Sequence, residues 1–460
     1  MTENVTPAAI TQGPRGVWRS WISGYLAAGF ISLVTVALVL RLFLASYRYA
    51  VNLFFSDDWT YFDVLSTGMP YWKQFLLQHG PHREGIGMVV ASYVLKATQW
   101  NSRAESFLIA AMISLAALLA IRLKLRLFGS IRFSDVAIPL MFLTLAQWEL
   151  LAGGPGPSAQ TFPLVLLMAY CLAWVQRNQI ARWALVLLCN FLLIFTGYGL
   201  FIAPVTLGII AVESYRELRM GNKRQAVVLL TALVLAAATL AVFFIGYRFN
   251  PAADCFRFPY GNGAGYVQYI ALMFSRFIGI KHHMTLGTAA GLVILATLVI
   301  TFSRHAIAFY RKGSAQQNSG IITILSTYAL LQACAAAVGR ICFGMDTSQS
   351  SRYMTLLIPG FLALYFHLLS QPLNAMSRRL AMPVLLAAVF AGSIQRNHKE
   401  LEGVAAARRE WKNCYIKTED VSACTERTET EIYIAVQAKQ LYKNLQYLKR
   451  NRLNLYASPD

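Results

Sequence analysis

The sequence predicts an all-α polytopic membrane protein with about eleven transmembrane helices. Of its 460 residues, 57% are hydrophobic and 13% are charged, and the mean hydropathy is +0.48. Soluble domains are less apolar and carry about a quarter charged residues. This excess of apolar surface has to face lipid, which excludes fibrous, disordered and disulfide-scaffold folds. The net charge of +20 is typical of basic loops beside a membrane, so we expect no nucleic-acid partner.

Eleven apolar stretches approach the length that a membrane crossing requires, which is about 20 residues. The predicted spans cover residues 21–45, 105–121, 134–151, 161–176, 183–198, 199–213, 226–246, 285–302, 320–338, 353–370 and 380–394. The first of them lacks a small-residue cleavage site and is long enough to span. We therefore expect an uncleaved helix rather than a removed signal.

The loop charges predict the orientation. With the amino terminus in the cytoplasm, loops on that side carry 17 Lys and Arg residues in about 77 positions, against 11 in about 124 on the other side when the carboxy-terminal tail is excluded. Basic residues concentrate in cytoplasmic loops of membrane proteins. An odd number of spans then places the carboxy-terminal tail outside.

Two shorter apolar stretches, residues 85–98 and 266–280, contain Lys96 and Arg276. Treating either one as a span would move every later loop to the opposite side of the membrane. We therefore predict that both are helices at the outer interface. The first of them belongs to the first outer loop, residues 46–104.

The sequence divides into two predicted regions, a transmembrane domain at 1–394 and a helical tail at 395–460. The tail has leucines at helical spacing, namely Leu441, Leu445 and Leu448. Its two cysteines, Cys414 and Cys424, would lie in an oxidising compartment. They either form a short-loop disulfide or remain free thiols.

Candidate acids lie in the first outer loop, where Asp57 and Asp58 precede Trp59. Adjacent side chains in an extended segment point to different sides. One carboxylate is thus expected to face a cavity while the other anchors the loop. A carboxylate there acts as a general base on a hydroxyl or shares a divalent cation, Mg²⁺ or Mn²⁺. A solvated turn or helix cap is the structural alternative.

Candidate cations follow in the same loop, where His79, His82 and Arg83 supply donors suited to an anionic leaving group. A His-x-x-His spacing also occurs in zinc sites. Gly80-Pro81 lies between the two histidines and disfavours a continuous helix, and no third ligand is evident.

A second group of donors, Arg340, Arg352 and Tyr353, lies before and at the start of the tenth predicted span. Arginines at the lipid boundary are costly unless they pair with something. They either bind a lipid phosphate or extend to the interface. Glu149, at the outer end of the third predicted span, either hydrogen-bonds within a cavity or caps a loop. No nucleotide-binding loop is present, so ATP hydrolysis is unsupported.

In their order along the chain, these segments resemble the motifs of the GT-C superfamily of multi-spanning glycosyltransferases. The narrower resemblance is to bacterial inner-membrane members with Asp-Asp-Trp, Gln-His-Asn-Glu-His-Arg, Trp-Glu-Asn and late Arg…Ser-Arg-Tyr segments. The corresponding segments here are residues 57–59, 78–83, 148–150, and 340 with 351–353. Gly80-Pro81 replaces Asn-Glu, and Leu150 replaces the Asn.

This resemblance implies a GT-C-like fold and transfer of a sugar from a polyprenyl-phosphate-linked donor to a cell-envelope glycan or lipopolysaccharide. Transfer would occur on the periplasmic side of a bacterial inner membrane, in contact with membrane lipid, with inversion at the sugar and with cation use open. Asp57 or Asp58 would be the base. The expected phosphate contacts are His79, His82, Arg83, Arg340, Arg352 and Tyr353. Trp59 and Glu149 would line the acceptor cavity.

Besides a noncatalytic scaffold or receptor, which needs no acidic and basic clusters at one face, two other functions stay open at this point. One is a transporter or flippase of lipid-linked oligosaccharides, although no duplicated half is visible in the sequence. The other is an outer-face polysaccharide polymerase, which would also need basic residues to hold pyrophosphate lipids. The acidic pair in the first outer loop favours the transferase.

Overall fold

The computed structural model describes residues 14–152, 157–251, 254–281, 283–372, 376–394, 398–433 and 438–457. Within these ranges α-helices dominate, and two short strands form one antiparallel hairpin. The elements are, in chain order, α1 (Pro14–Tyr49), α2 (Asp58–Leu65), α3 (Tyr71–Leu76), β1 (Gln78–His79), β2 (His82–Arg83), α4 (Gly85–Ala97), α5 (Ser102–Phe128), α6 (Ala137–Phe142), α7 (Trp148–Leu151), α8 (Pro157–Trp174), α9 (Gln179–Ile194), α10 (Ile202–Arg219), α11 (Lys223–Phe244), α12 (Gly263–Phe277), α13 (Met284–Lys312), α14 (Gln317–Arg340), α15 (Met354–Ser370), α16 (Met376–Ser393), α17 (His398–Thr418), α18 (Val421–Thr428) and α19 (Ala438–Asn451).

Eight helical stretches in the described ranges are long and apolar enough to cross a membrane. They are Gly24–Tyr49, Ser102–Phe128, Gly197–Arg219, Lys223–Phe244, Met284–Lys312, Gln317–Phe343, Ser351–Ser370 and Arg378–Thr418. Three further apolar helices are shorter, namely Gly85–Ala97, Thr161–Trp174 and Gln179–Ile194. The all-α class and a multi-pass membrane protein are therefore confirmed, whereas the number of eleven spans stays a prediction.

The third predicted span, residues 134–151, is not one helix. It is divided into short helical pieces that include α6 and α7. At the break, the Thr144 hydroxyl accepts a hydrogen bond from the Ala146 N–H (3.0 Å), and the Gln147 amide donates to the Phe142 carbonyl (2.7 Å). Irregular backbone at membrane depth is tolerated where protein buries it and its polar groups are satisfied. Thr144 and Gln147 are buried, and the Thr144 hydroxyl and the Gln147 amide nitrogen are hydrogen-bonded, whereas the Gln147 side-chain oxygen has no partner among the described residues.

This broken segment nevertheless extends along the whole bundle. Near its start, Asp135 accepts hydrogen bonds from Lys124 of α5 and from the Tyr365 hydroxyl near the end of α15. Near its end, Glu149 contacts Ser351, which directly precedes α15. The two contacts lie at opposite ends of α15, so the segment runs from one end of the bundle to the other. We call the end that contains Glu149 and Ser351 the site end.

Helix α12, expected at the interface, is packed more deeply than that expectation requires. Its residues from Tyr269 to Phe277 are all buried. A side chain at Gly291 of α13 would lie 1.8 Å from the Ala271 carbonyl oxygen, so the two helices are in close contact there. An interface helix keeps one face exposed. The apolar run in α12 instead serves helix packing.

The tail forms a second hydrophobic core with the first outer loop. The Asp63 carboxylate of α2 accepts hydrogen bonds from Gln440 (2.9 Å) and Asn444 (2.6 Å) of α19. The leucines predicted on one helical face are fully buried, namely Leu441, Leu445 and Leu448. Cys414 and Cys424 form a disulfide, which confirms that alternative. The tail therefore supports the loop that carries the candidate acids.

Candidate active site

The two adjacent carboxylates at the start of α2 point in different directions. The Asp58 carboxylate accepts a hydrogen bond from the Phe55 N–H (3.0 Å), and only 6% of the residue is exposed. Asp57 lies one residue earlier, with Oδ2 3.5 Å from Nε2 of His79 and 25% of its side chain exposed. Asp57 is therefore the carboxylate that a substrate can reach, and Asp58 holds the loop.

Asp58 belongs to the contact between this loop and the tail. Burial raises its pKa, against the opposing effects of the Phe55 N–H and the Arg408 charge. The Arg408 guanidinium lies 4.0 Å from the centre of the Phe55 ring and donates to the Ala152 carbonyl. Arg408 thus connects the acidic loop to the residue that follows α7.

Asp57 and His79 form a close pair in which each group shifts the pKa of the other. Burial alone would raise the pKa of Asp57, but the hydrogen bond and charge of His79, with Arg340 and Arg352, lower it. Burial alone would lower the pKa of His79, but Asp57 and Glu84 raise it. The pair therefore presents an ionised carboxylate that can accept a proton from a bound hydroxyl.

The hairpin of β1 and β2 places the two histidines near each other. Gly80 has a φ of 56°, which glycine adopts without strain, and it forms the turn with Pro81. The ring centroids of His79 and His82 are 6.3 Å apart. No group of three potential metal ligands occurs in the described ranges. Because the Asp57 and Asp58 side chains also diverge, these residues do not fit a shared zinc or Mg²⁺ site.

Arg83, expected to bind phosphate, is instead a structural residue. Its guanidinium donates to three backbone carbonyls, those of Phe243 (3.1 Å), Leu76 (2.6 Å) and Ile245 (2.7 Å). The residue is 7% exposed. These contacts attach the hairpin to the end of α11 and engage all three guanidinium nitrogens, so we remove Arg83 from the candidate phosphate contacts.

Arg352 is presented by a turn that Glu149 anchors. The Glu149 carboxylate accepts hydrogen bonds from the Ser350 hydroxyl (2.6 Å), the Ser351 N–H (3.3 Å) and the Arg352 N–H (3.2 Å). Glu149 is thus a positioning residue rather than a cavity wall. Nε of Arg352 and the hydroxyl of Tyr353 are buried without a hydrogen-bond partner among the described residues. Both groups have capacity left for a ligand.

Arg340, the last residue of α14, borders a cavity of about 230 Å³ at the site end. Its guanidinium forms no ion pair with a described carboxylate, and it lies 5.7 Å from the Phe343 ring centre. His82, Tyr353 and Gln332 also line the cavity, and each has a buried polar atom without a hydrogen-bond partner in the described structure. Buried polar atoms are usually paired, so the cavity has free capacity to bind a polar ligand group.

Trp59 does not line this cavity, contrary to expectation. It is fully buried and packs edge-on against Phe54, with ring centroids 5.3 Å apart. Its large side chain serves the second core, where apolar burial stabilises the fold by about 2 kcal/mol per large side chain. Trp59 therefore stabilises the first outer loop from within the second core.

Glu84 is a site residue that the sequence did not reveal. It is fully buried, accepts a hydrogen bond from the Tyr61 hydroxyl (2.9 Å), and lies 3.2 Å from Nε2 of His82. Its position directly after Arg83 was the only available signal. The burial depends on Tyr61 of α2, whose proximity only the fold shows.

Comparisons with known proteins identify no family: no family model, curated protein or solved structure matches the chain. What the site does must therefore be argued from its geometry.

Proposed function

We propose that this protein transfers a sugar from a polyprenyl-phosphate-linked donor to a cell-envelope glycan or lipopolysaccharide. One observation carries the proposal: the accessible Asp57 carboxylate lies 3.5 Å from His79, whose ring is 6.3 Å from that of His82, and His82 lines a cavity together with Arg340 and Tyr353. An accessible base near two arginines, neither of which forms an ion pair with a carboxylate in the described ranges, suits a reaction that removes a proton and releases a phosphate.

In this mechanism, Asp57 accepts the proton of the acceptor hydroxyl as its oxygen forms a bond to the anomeric carbon of the donor. The bond from that carbon to the phosphate oxygen breaks, and the electron pair leaves with the lipid phosphate. Attack from the face opposite the leaving group inverts the sugar. Arg340 and Arg352 stabilise the charge that develops on the phosphate. His82 and Tyr353 donate hydrogen bonds to it.

The cavity supports a lipid-linked donor rather than a soluble nucleotide sugar. Its lining is largely apolar and aromatic, and it includes Leu200, Phe201 and Phe249 beside Arg340. A cation at one side of an apolar cavity suits an amphiphile with an anionic group. A multi-pass membrane protein also gives such a donor direct access from the bilayer.

We place the site on the periplasmic side of a bacterial inner membrane, with the amino terminus in the cytoplasm and the tail outside. Two observations support this orientation. The disulfides Cys414–Cys424 and Cys255–Cys342 belong to the tail and to the segment after Arg340, and disulfides persist in oxidising compartments. The basic loops lie on the other side by the charge distribution.

Mass analysis of envelope glycans and lipid-linked sugars in a deletion strain tests the proposal. We expect loss of one sugar substituent and accumulation of its carrier-linked form. Wild-type protein restores the substituent, and Asp57→Asn, inserted at equal level, does not. Asp346→Asn is the matched control, because Asp346 is exposed at the same end of the bundle. Altered glycan chain length with unchanged substituents would indicate a polymerase instead.

A further inference from the structure

The disulfide Cys255–Cys342 fixes a loop beside the cavity. It joins positions 87 residues apart in the sequence. Cys342 lies two residues after Arg340, and Cys255 lies in the segment between α11 and α12, residues 245–262. We call this segment, described except for residues 252–253, the wall loop. The sequence alone gave no reason to pair these two cysteines.

The start of the wall loop is held by the hairpin that carries His79. The Tyr247 hydroxyl donates to the Pro81 carbonyl (2.9 Å). Gln78 and Arg248 are joined by two hydrogen bonds, from the Gln78 amide to the Arg248 carbonyl (2.5 Å) and from the Arg248 N–H to the Gln78 side-chain oxygen (3.3 Å). The loop is thus bound to the hairpin at one point and to the segment after Arg340 at another.

Near these two attachments, the wall loop supplies apolar side chains to the cavity. Phe249, Pro251 and Phe256 line it, and the two phenylalanine rings lie 5.5 Å apart. Phe249 is 60% exposed, so its ring is accessible to an apolar ligand. The facing wall comes from Leu200 and Phe201.

We propose that the wall loop is the specificity-determining element for the lipid carrier: it binds the hydrocarbon next to the phosphate, and Cys255–Cys342 holds it in position. The inference rests on the proposed function for the class of donor. Its physical basis is that an apolar wall discriminates by hydrocarbon contact, while Arg340, His82 and Tyr353 recognise only the phosphate. Without the disulfide, the cavity side of the loop loses its covalent attachment and samples more conformations.

Undecaprenyl phosphate, undecaprenol and inorganic phosphate are the probes for this inference, and binding to purified protein is the measurement. The test variant is Cys255→Ser/Cys342→Ser, and the matched control is Cys414→Ser/Cys424→Ser in the tail. We expect wild type and the control to bind undecaprenyl phosphate equally, and the test variant to bind it at least about tenfold more weakly. Inorganic phosphate should bind weakly and alike to all three proteins.

A folding control and a second variant show whether weaker binding is caused by the wall loop itself. Cys171 and Cys189 are buried, so their resistance to alkylation shows that each variant is folded. Phe249→Ala/Phe256→Ala keeps the disulfide and should also weaken binding of undecaprenyl phosphate. Equal binding by wild type, the test variant and this second variant would overturn the wall-loop inference alone. Failure of wild type to prefer undecaprenyl phosphate over undecaprenol would instead contradict the proposed function.

Discussion

Replacing Arg83 distinguishes the structural role of this arginine from the phosphate-binding role that its sequence position indicated. Arg83→Met removes donors to three backbone carbonyls together with the guanidinium that lies 5.5 Å from the Phe243 ring centre. Each hydrogen bond from a charged group contributes about 1.5–3 kcal/mol. Water that enters the site would recover part of the loss, so we expect a net destabilisation of about 3 kcal/mol.

The assay is thermal unfolding of the purified protein, with Arg257→Met as the control because Arg257 is exposed. A loss of about 3 kcal/mol lowers Tm by roughly 5 °C or more. In the protein that stays folded, the affinity for undecaprenyl phosphate should fall less than in Arg340→Met. An unchanged Tm together with lost binding would refute the structural assignment of Arg83.

Three further predictions concern residues around the candidate base. Asp58→Asn keeps an acceptor for the Phe55 N–H and should retain most sugar transfer in the complementation assay; loss as complete as in Asp57→Asn would contradict the assignment of Asp57 as the base. Glu149→Gln places an N–H group against the Ser351 or Arg352 N–H, so Tm should fall by an amount that reflects about 1–2 kcal/mol; an unchanged Tm would exclude the anchoring role. Because the pKa of His79 is raised in the folded protein, the pairing of His79 with Asp57 stabilises the fold fully below the unfolded His pKa of about 6.5, and this stabilisation is lost as pH rises through the folded pKa of His79. Because the pKa of Asp57 is lowered, the pairing persists on the acid side until pH falls through the folded pKa of Asp57. The difference in Tm between wild type and His79→Gln should therefore be larger at about pH 6 than at about pH 9, and a difference independent of pH would contradict the pairing.

Hydropathy predicted the helical fold well because long apolar segments have few other arrangements in a membrane. It did not predict the break in residues 134–151, because a buried irregular segment and a spanning helix require the same apolar composition. The burial of α12 was missed for a related reason. An apolar run that carries Arg276 fits an interface, and only the close approach of Gly291 shows that it packs into the bundle.

Residue type indicated where the site lies but not which groups are free to react. Arg83 and Arg340 are the same residue type at the same end of the bundle, yet Arg83 is engaged by backbone carbonyls while Arg340 has no carboxylate partner in the described ranges. Likewise, the divergence of Asp57 and Asp58 was expected from their adjacency. The choice of Asp57 as the accessible acid required the contacts of Phe55, Arg408 and His79. Those contacts are set by tertiary structure.

The central claim is that Asp57 accepts the proton while Arg340 binds the donor phosphate. Binding of undecaprenyl phosphate to Asp57→Asn and to Arg340→Met tests this claim most directly. Asp57→Asn should bind at least as tightly as wild type, because it removes a negative charge near the phosphate. Arg340→Met should bind at least about tenfold more weakly with unchanged Tm. If Arg340→Met binds as wild type does, the cavity that Arg340 borders is not the donor phosphate site.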